Sequence, residues 1–198
     1  MSFDAFDEGI SLGGVRSKTE VRILICYLLC AIKVPMSKET VINALLEKGL
    51  TNYFEASSCF DDLIARGNIR PTENNSKLFE PTENGKTVSE QLEDNLPLTV
   101  KERAYECALN LLEQEKNEKE NKVSIEKLPN GYNVTCSISG GDMDLMKISL
   151  YVADSDQAKT VKKNFYKNPQ HFYKVMLAVM TRNKSLIKDA LRNLDSLA

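Results

Sequence analysis

The sequence predicts an α+β protein in two parts. The first part consists of helices with a short hairpin. The second is a small antiparallel three-stranded sheet covered by C-terminal helices. Three observations carry this expectation. Capped helical segments with a 3.6-residue apolar period fill the first half, interrupted by one pair of short extended segments. The apolar period then changes to two residues after Asn121. The run Pro129-Asn130-Gly131 separates two alternating segments, and Asn-Gly in that position is a strong hairpin signal.

Residues 1–15 are Gly-rich and acidic without a period and read as a loose arm. The first helix starts at the capping box formed by Ser17 and Glu20 and runs to Ile32. Beyond Arg22 it is apolar on almost all faces, so it needs cover from its own domain and from something further, such as the C-terminal half or a second subunit. After Pro35, Ser37 caps a second helix, which carries Val41, Leu45 and Leu46 on one face and is stopped by Gly49. Asn52 and Glu55 open a third helix, closed by Gly67. Its core positions are Phe54 or Ala56, then Phe60, Leu63 and Ile64. Two extended segments, 69–72 and 77–82, follow around the turn Glu73-Asn74-Asn75-Ser76. Thr82 caps a fourth helix, and a long helical stretch runs from Thr99 to Lys116. The apolar-free run 117–121 reads as a helix end and linker. The expected organisation is a domain over 1–98, a connecting helix over 99–119 and an α+β domain over 120–198.

In that last part Tyr132, Val134, Cys136 and Ile138 alternate with Asn133, Thr135, Ser137 and Ser139, and a third strand starts at Met146. Helices over 156–167, 170–182 and 184–197 supply cover for the apolar face.

Three helices, a two-stranded hairpin and a capped fourth helix, in that order, make the layout of a winged helix-turn-helix domain. Particular features also resemble a bacterial winged-helix family known as domain of unknown function 4364. They are the entry at Pro35, the turn from Gly49 to Phe54 and the Leu-rich third helix from Phe60 to Gly67. The Thr-x-x-Gly opening from Thr82 to Gly85 and the pair Leu96-Pro97 complete them. The resemblance implies transcriptional regulation. One departure stands out: polar residues are expected near the start of the third helix of a DNA reader, and here they mix with the acids Glu55, Asp61 and Asp62.

If this helix reads double-stranded DNA, Asn52, Tyr53, Ser57 and Ser58 face the bases, because helix N-termini usually meet base edges. Arg70, Asn74, Asn75 and Lys77 lie on the hairpin, and Lys38 and Lys48 flank the second helix within reach of backbone phosphates. The alternative is a winged helix used only for protein contact. Asp62 is spaced to pair with Arg66, whereas Asp61 has no evident partner in the sequence.

Charge is uneven. Residues 1–98 carry ten Lys/Arg against fifteen Asp/Glu, and 155–198 carry nine against three. Lys159, Lys162, Lys163 and Lys167 form a stripe that reads first as a solvated face and second as a phosphate or acidic-partner surface. The longest apolar run, Ile23 to Ile32, is too short for a span, which needs about 20 residues. No basic leader precedes it, so the chain is expected in the cytoplasm. The five cysteines (26, 30, 59, 107 and 136) form no CxxC, and they read as packed thiols rather than metal ligands. His171 is the single histidine, no GxSxG occurs, and the Gly140-Gly141 loop lacks the Lys-Ser/Thr of a phosphate loop. No enzyme, cofactor or metal is expected. A homodimer is, together with an effector of unspecified chemistry on the C-terminal domain.

Overall fold

The computed structural model describes residues 14–15 and 17–188. It is a mixed α+β chain with two small antiparallel three-stranded sheets. The elements are α1 (Lys18–Ile32), β1 (Met36–Ser37), α2 (Lys38–Leu46), α3 (Tyr53–Ala65), β2 (Ile69–Pro71) and β3 (Leu78–Pro81), followed by α4 (Glu83–Leu92), a 3-10 turn (Glu93–Asn95) and α5 (Leu98–Glu120). Then come β4 (Lys122–Leu128), β5 (Gly131–Ser139), β6 (Asp144–Val152), α6 (Ser155–Lys167) and α7 (Pro169–Met180). The chain divides into two compact units, Met1–Leu112 and Glu113–Ala198, and the division falls inside α5.

In the first unit every expected cap forms. The side chains of Ser17, Ser37, Asn52 and Thr82 accept N–H bonds from Glu20, Thr40, Glu55 and Gly85, satisfying amides that a helix start leaves open. Helix α1 contributes Val21, Ile23, Leu24, Ile25, Cys26, Leu28 and Leu29 to the core. Its cover differs from the expectation. Helices α3 and α4, strand β3 and the 3-10 turn pack on it within its own unit, and Val100, Ala104, Cys107 and Ala108 of α5 join the same core. An all-apolar helix is thus explained without a second subunit. The two extended segments are also not alone. Met36 and Ser37 pair with Phe79 and Leu78, giving a three-stranded sheet of order β1-β3-β2. A two-residue strand is too short to leave a period in the sequence.

The linker expected over 117–121 is not formed, because α5 continues to Glu120 and β4 starts at Lys122. Asn117 donates its side-chain N–H to the Tyr166 carbonyl at 2.9 Å, and Asn121 is buried and donates to the Asn117 carbonyl. Polar residues are used here as specific partners, which composition alone does not distinguish from a solvated tether. Of the N-terminal arm, only Gly14 and Val15 are described. Val15 is buried, with its N–H on the Leu50 carbonyl at 2.9 Å. The last expected helix is present over 184–188, and its remainder lies outside the described residues.

In the second unit β5 is central, between β4 and β6. Val134, Cys136 and Ile138 point to the face covered by Ala158, Phe165 and Tyr166, as the two-residue alternation requires. The hairpin turn is Pro129-Asn130, with Leu128 paired to Gly131. Gly131 therefore serves close approach instead of turn geometry. A Cβ there would lie 2.6 Å from the Val152 carbonyl oxygen and 2.7 Å from the Tyr151 hydroxyl.

All five cysteines are free. Burial pushes the Cys26 and Cys107 thiols up to about 12 and Cys59 to about 11, with Cys30 adding to the shift on Cys26. Cys30 is only half-buried. A thiol reagent at pH 8 should therefore modify Cys30 first and leave Cys26, Cys59 and Cys107 untouched until denaturant is added, because the thiolate is the reacting form. Peptide mapping by mass spectrometry checks this, and early labelling of Cys26 in the folded protein would contradict the packing described.

Candidate functional site

Helix α3 buries Ala56, Cys59, Phe60 and Leu63, a stripe spaced three and four residues apart. The opposite side is solvent-facing. Tyr53 (56% exposed), Phe54 (81%) and Ser58 open outward, with Ser57 half-buried and Asp61 exposed further along. Phe54, a candidate core position in the sequence, is not in the core. It lies two residues before Ala56, about 200° around the helix at 3.6 residues per turn. The full stripe through Leu63 selects Ala56. Ile64 likewise turns to the surface, at 36% exposed. The rings of Tyr53 and Phe54 meet edge to face with centroids 5.9 Å apart. The helix start thus presents two aromatic rings beside hydroxyls.

The acids of α3 all have cationic partners. Glu55 faces Lys18 of α1 at 3.6 Å, and Asp62 takes Arg22 of α1 at 3.2 Å instead of the Arg66 that spacing suggests. Asp61 takes Lys38, with Nζ 2.7 and 2.8 Å from its two oxygens. Lys38 also lies 5.8 Å from the centre of the Phe60 ring. These partners are 23 to 40 positions away in the chain, beyond any local spacing rule.

The expected site residues therefore fall into separate groups. Asn52 is the α3 cap, so its Oδ1 is engaged by the Glu55 N–H at 2.9 Å. Lys38 and Lys48 sit at opposite ends of α2, and the Lys48 carbonyl accepts from the Arg103 guanidinium, a residue the sequence did not single out. On the hairpin, Arg70 and Glu80 are cross-strand partners, and the guanidinium binds the Glu80 carboxylate at 2.9 Å. Asn75 builds the tip: its carbonyl accepts from the Thr72 hydroxyl and its side-chain oxygen from the Lys77 N–H. Asn74 and Lys77 are exposed there, and the Lys77 ammonium has no ion-pair partner among the described residues. Of the four expected phosphate contacts, two cations are thus held by carboxylates within the same unit.

A groove of about 800 Å³ lies beside this region, lined by Cys30, Lys33, Val34, Arg70, Glu83 and Lys86 among others. Among the described residues no group of three or more His, Cys, Asp or Glu is placed to hold a metal ion, and no helix is long and apolar enough to cross a membrane. His171 is buried at the start of α7, its N–H on the Asn168 side chain at 3.0 Å.

The family model described as Domain of unknown function (DUF4364) matches residues 21–180, most of the chain. Neither the curated proteins nor the solved structures gave a match.

Proposed function

The chain belongs to the Domain of unknown function 4364 family, and we propose that its first unit is a winged helix-turn-helix that binds double-stranded DNA as a non-enzymatic transcriptional regulator. Supporting the arrangement is the closure of β1 onto β3, which ties the segment before α2 to the hairpin that follows α3. In this reading α3 is the reading helix and the β2–β3 hairpin is the wing. The observation that carries the DNA assignment is the outward face at the start of α3, where Tyr53, Ser57 and Ser58 lie at the helix end that meets base edges. Every acid of α3 is neutralised by a cation of the same unit, so the helix does not present bare negative charge to a phosphate backbone.

The chain acts as a homodimer in this proposal, since two-fold DNA readers span successive half-sites with two copies. Helix α1 gives no support for it. The exposed Leu177, Val179 and Met180 of α7 do. Light scattering at tens of micromolar checks the stoichiometry, and a monomer overturns it. A protein-contact module is the second reading. It is favoured by Phe54, the most exposed large apolar side chain among the described residues, and by the internal pairing of Lys38 and Arg70.

The test is binding to genomic duplex fragments across salt. Replacing Arg70 and Lys77 together by Ala should weaken binding to all sequences alike and flatten the salt slope by about one to two units, at roughly 0.9 per phosphate contact. Replacing Tyr53 or Ser57 should instead change sequence preference, by about 1–3 kcal/mol for a base contact. Asp61→Asn should strengthen binding generally, because it releases the Lys38 ammonium for phosphate. No binding by the parent at 50 mM salt, with retention of a protein partner that Phe54→Ala abolishes, establishes the second reading instead.

A further inference from the structure

A second charge feature lies in the second unit. Between Ser155 and Lys188 the sequence carries eight Lys/Arg and a single acid, Asp156, while the whole chain has a net charge of -2. Helix α6 buries Ala158, Phe165 and Tyr166 against the sheet. Its outward residues are Lys159, Thr160, Lys163, Asn164 and Lys167. Lys159, Lys163 and Lys167 stand at i, i+4 and i+8, one row along the helix, roughly 12 Å long at 1.5 Å per residue. Lys159 meets Asp156 at 3.2 Å, while Lys163 and Lys167 have no ion-pair partner among the described residues. Lys162 leaves the row and sits 6.0 Å from the Tyr166 ring centre. Like charges at i,i+4 destabilise a helix. Here they are stacked twice in succession with one carboxylate near the first.

We propose that the outward row Lys159, Lys163 and Lys167 of α6 is a second nucleic-acid contact, gripping phosphates without reading bases. Duplex DNA fits this face better than an anionic membrane surface. Membrane-surface helices bury large apolar side chains beside their lysines, whereas the residues between these lysines on the outward face are the polar Thr160, whose hydroxyl is held by the Asp156 carbonyl at 2.8 Å, and Asn164, whose side-chain amide is a donor suited to phosphate and sugar oxygens. The row also supplies what the first unit lacks, since two of the expected phosphate cations there are held internally. The inference rests on the proposed DNA binding for the identity of its ligand. It assigns that binding a second foothold, independent of α3.

The experiment uses the full chain and a mixed-sequence duplex, with affinity measured by fluorescence anisotropy between 50 and 200 mM salt. Alanine at Lys159, Lys163 and Lys167 leaves the fold intact, because the residues are exposed and alanine favours helix. Loss of three phosphate contacts should flatten the slope of log affinity against log salt by about two to three units, at roughly 0.9 each. Arginine at the same three positions should restore the parent slope. An unchanged slope in the alanine variant, with Arg70→Ala/Lys77→Ala still weakening the complex, overturns this inference and leaves the function of the first unit standing. The converse, loss only with the α6 variant, upholds the row and overturns the reading of α3 and its hairpin. A parent that binds no duplex overturns both. If it instead sediments with phosphatidylserine vesicles in a manner the α6 variant abolishes, the row is a membrane contact.

Discussion

Phe60→Ala should lower the stability of the first unit by about 3–5 kcal/mol, the range for truncating a buried aromatic residue. The side chain is fully buried and meets Phe79 edge to face at 5.0 Å. Such pairs contribute about 0.5–1.5 kcal/mol beyond area burial. Phe60 belongs to α3 and Phe79 to β3, where Phe79 also pairs with Met36 of β1. The contact therefore joins the proposed reading helix to the centre of the sheet that carries the β2–β3 hairpin. Alanine leaves a void that only a displacement of α3 or the hairpin can close. Native-state hydrogen exchange separates this from general unfolding. Amides of α3 and β3 should lose protection, while those of Val134 and Ile138 in the second unit keep theirs. A cost below about 1 kcal/mol would mean that the site collapses freely and that the pair does not position the hairpin.

What the sequence discloses about this fold follows from the range of the interactions concerned. Caps and apolar stripes are local, and the starts of α1, α2, α3 and α4 are legible to the residue from Ser17, Ser37, Asn52 and Thr82. The alternation of β5 is local in the same way. What stays hidden depends on distant parts of the chain. Strand β1 exists because β3 passes beside it. The continuation of α5 through 117–120 depends on the Tyr166 carbonyl that receives Asn117. At the candidate site the outward residues of α3 are largely readable, but their electrostatics are not. The doubt raised by Asp61 and Asp62 resolves through Lys38 and Arg22, 23 and 40 positions away in the chain. The same pairing removes Lys38 from the pool of free cations, so spacing misjudges the acids and the bases together. Phe54 is a failure of a different kind. Its apolarity suggests the core, and only the full stripe from Ala56 to Leu63 turns it outward.

Gly85→Ala should destabilise the first unit by about 2–4 kcal/mol, combining roughly 1–3 for overpacking with about 1 for a damaged cap. Gly85 is buried in the first turn of α4, and a Cβ there would sit well inside van der Waals contact with the Asn68 carbonyl oxygen. That oxygen cannot move aside cheaply, since it accepts the Thr82 N–H at 2.9 Å and shares the Thr82 hydroxyl, 3.0 Å away, with the nearer Gly67 carbonyl at 2.6 Å. The Thr82 hydroxyl in turn accepts from the Gly85 N–H at 3.3 Å. The Thr-x-x-Gly spacing thus has a single physical meaning. Threonine caps α4 and clasps the chain entering β2, and glycine permits the approach that the clasp requires. Alanine forces α4 away from Asn68 and strains Pro81 and the end of β3, which precede the cap directly. Asn84→Ala, one residue away and exposed, is the control and should stay within about 0.5 kcal/mol of the parent. If the hairpin contacts DNA as proposed, Gly85→Ala should also weaken binding at temperatures where the unit remains folded. The salt slope should stay near that of the parent, because no phosphate-binding cation is lost. Parental stability in Gly85→Ala would show that α4 can withdraw from Asn68 at no cost, and the clasp would then not be what fixes the hairpin.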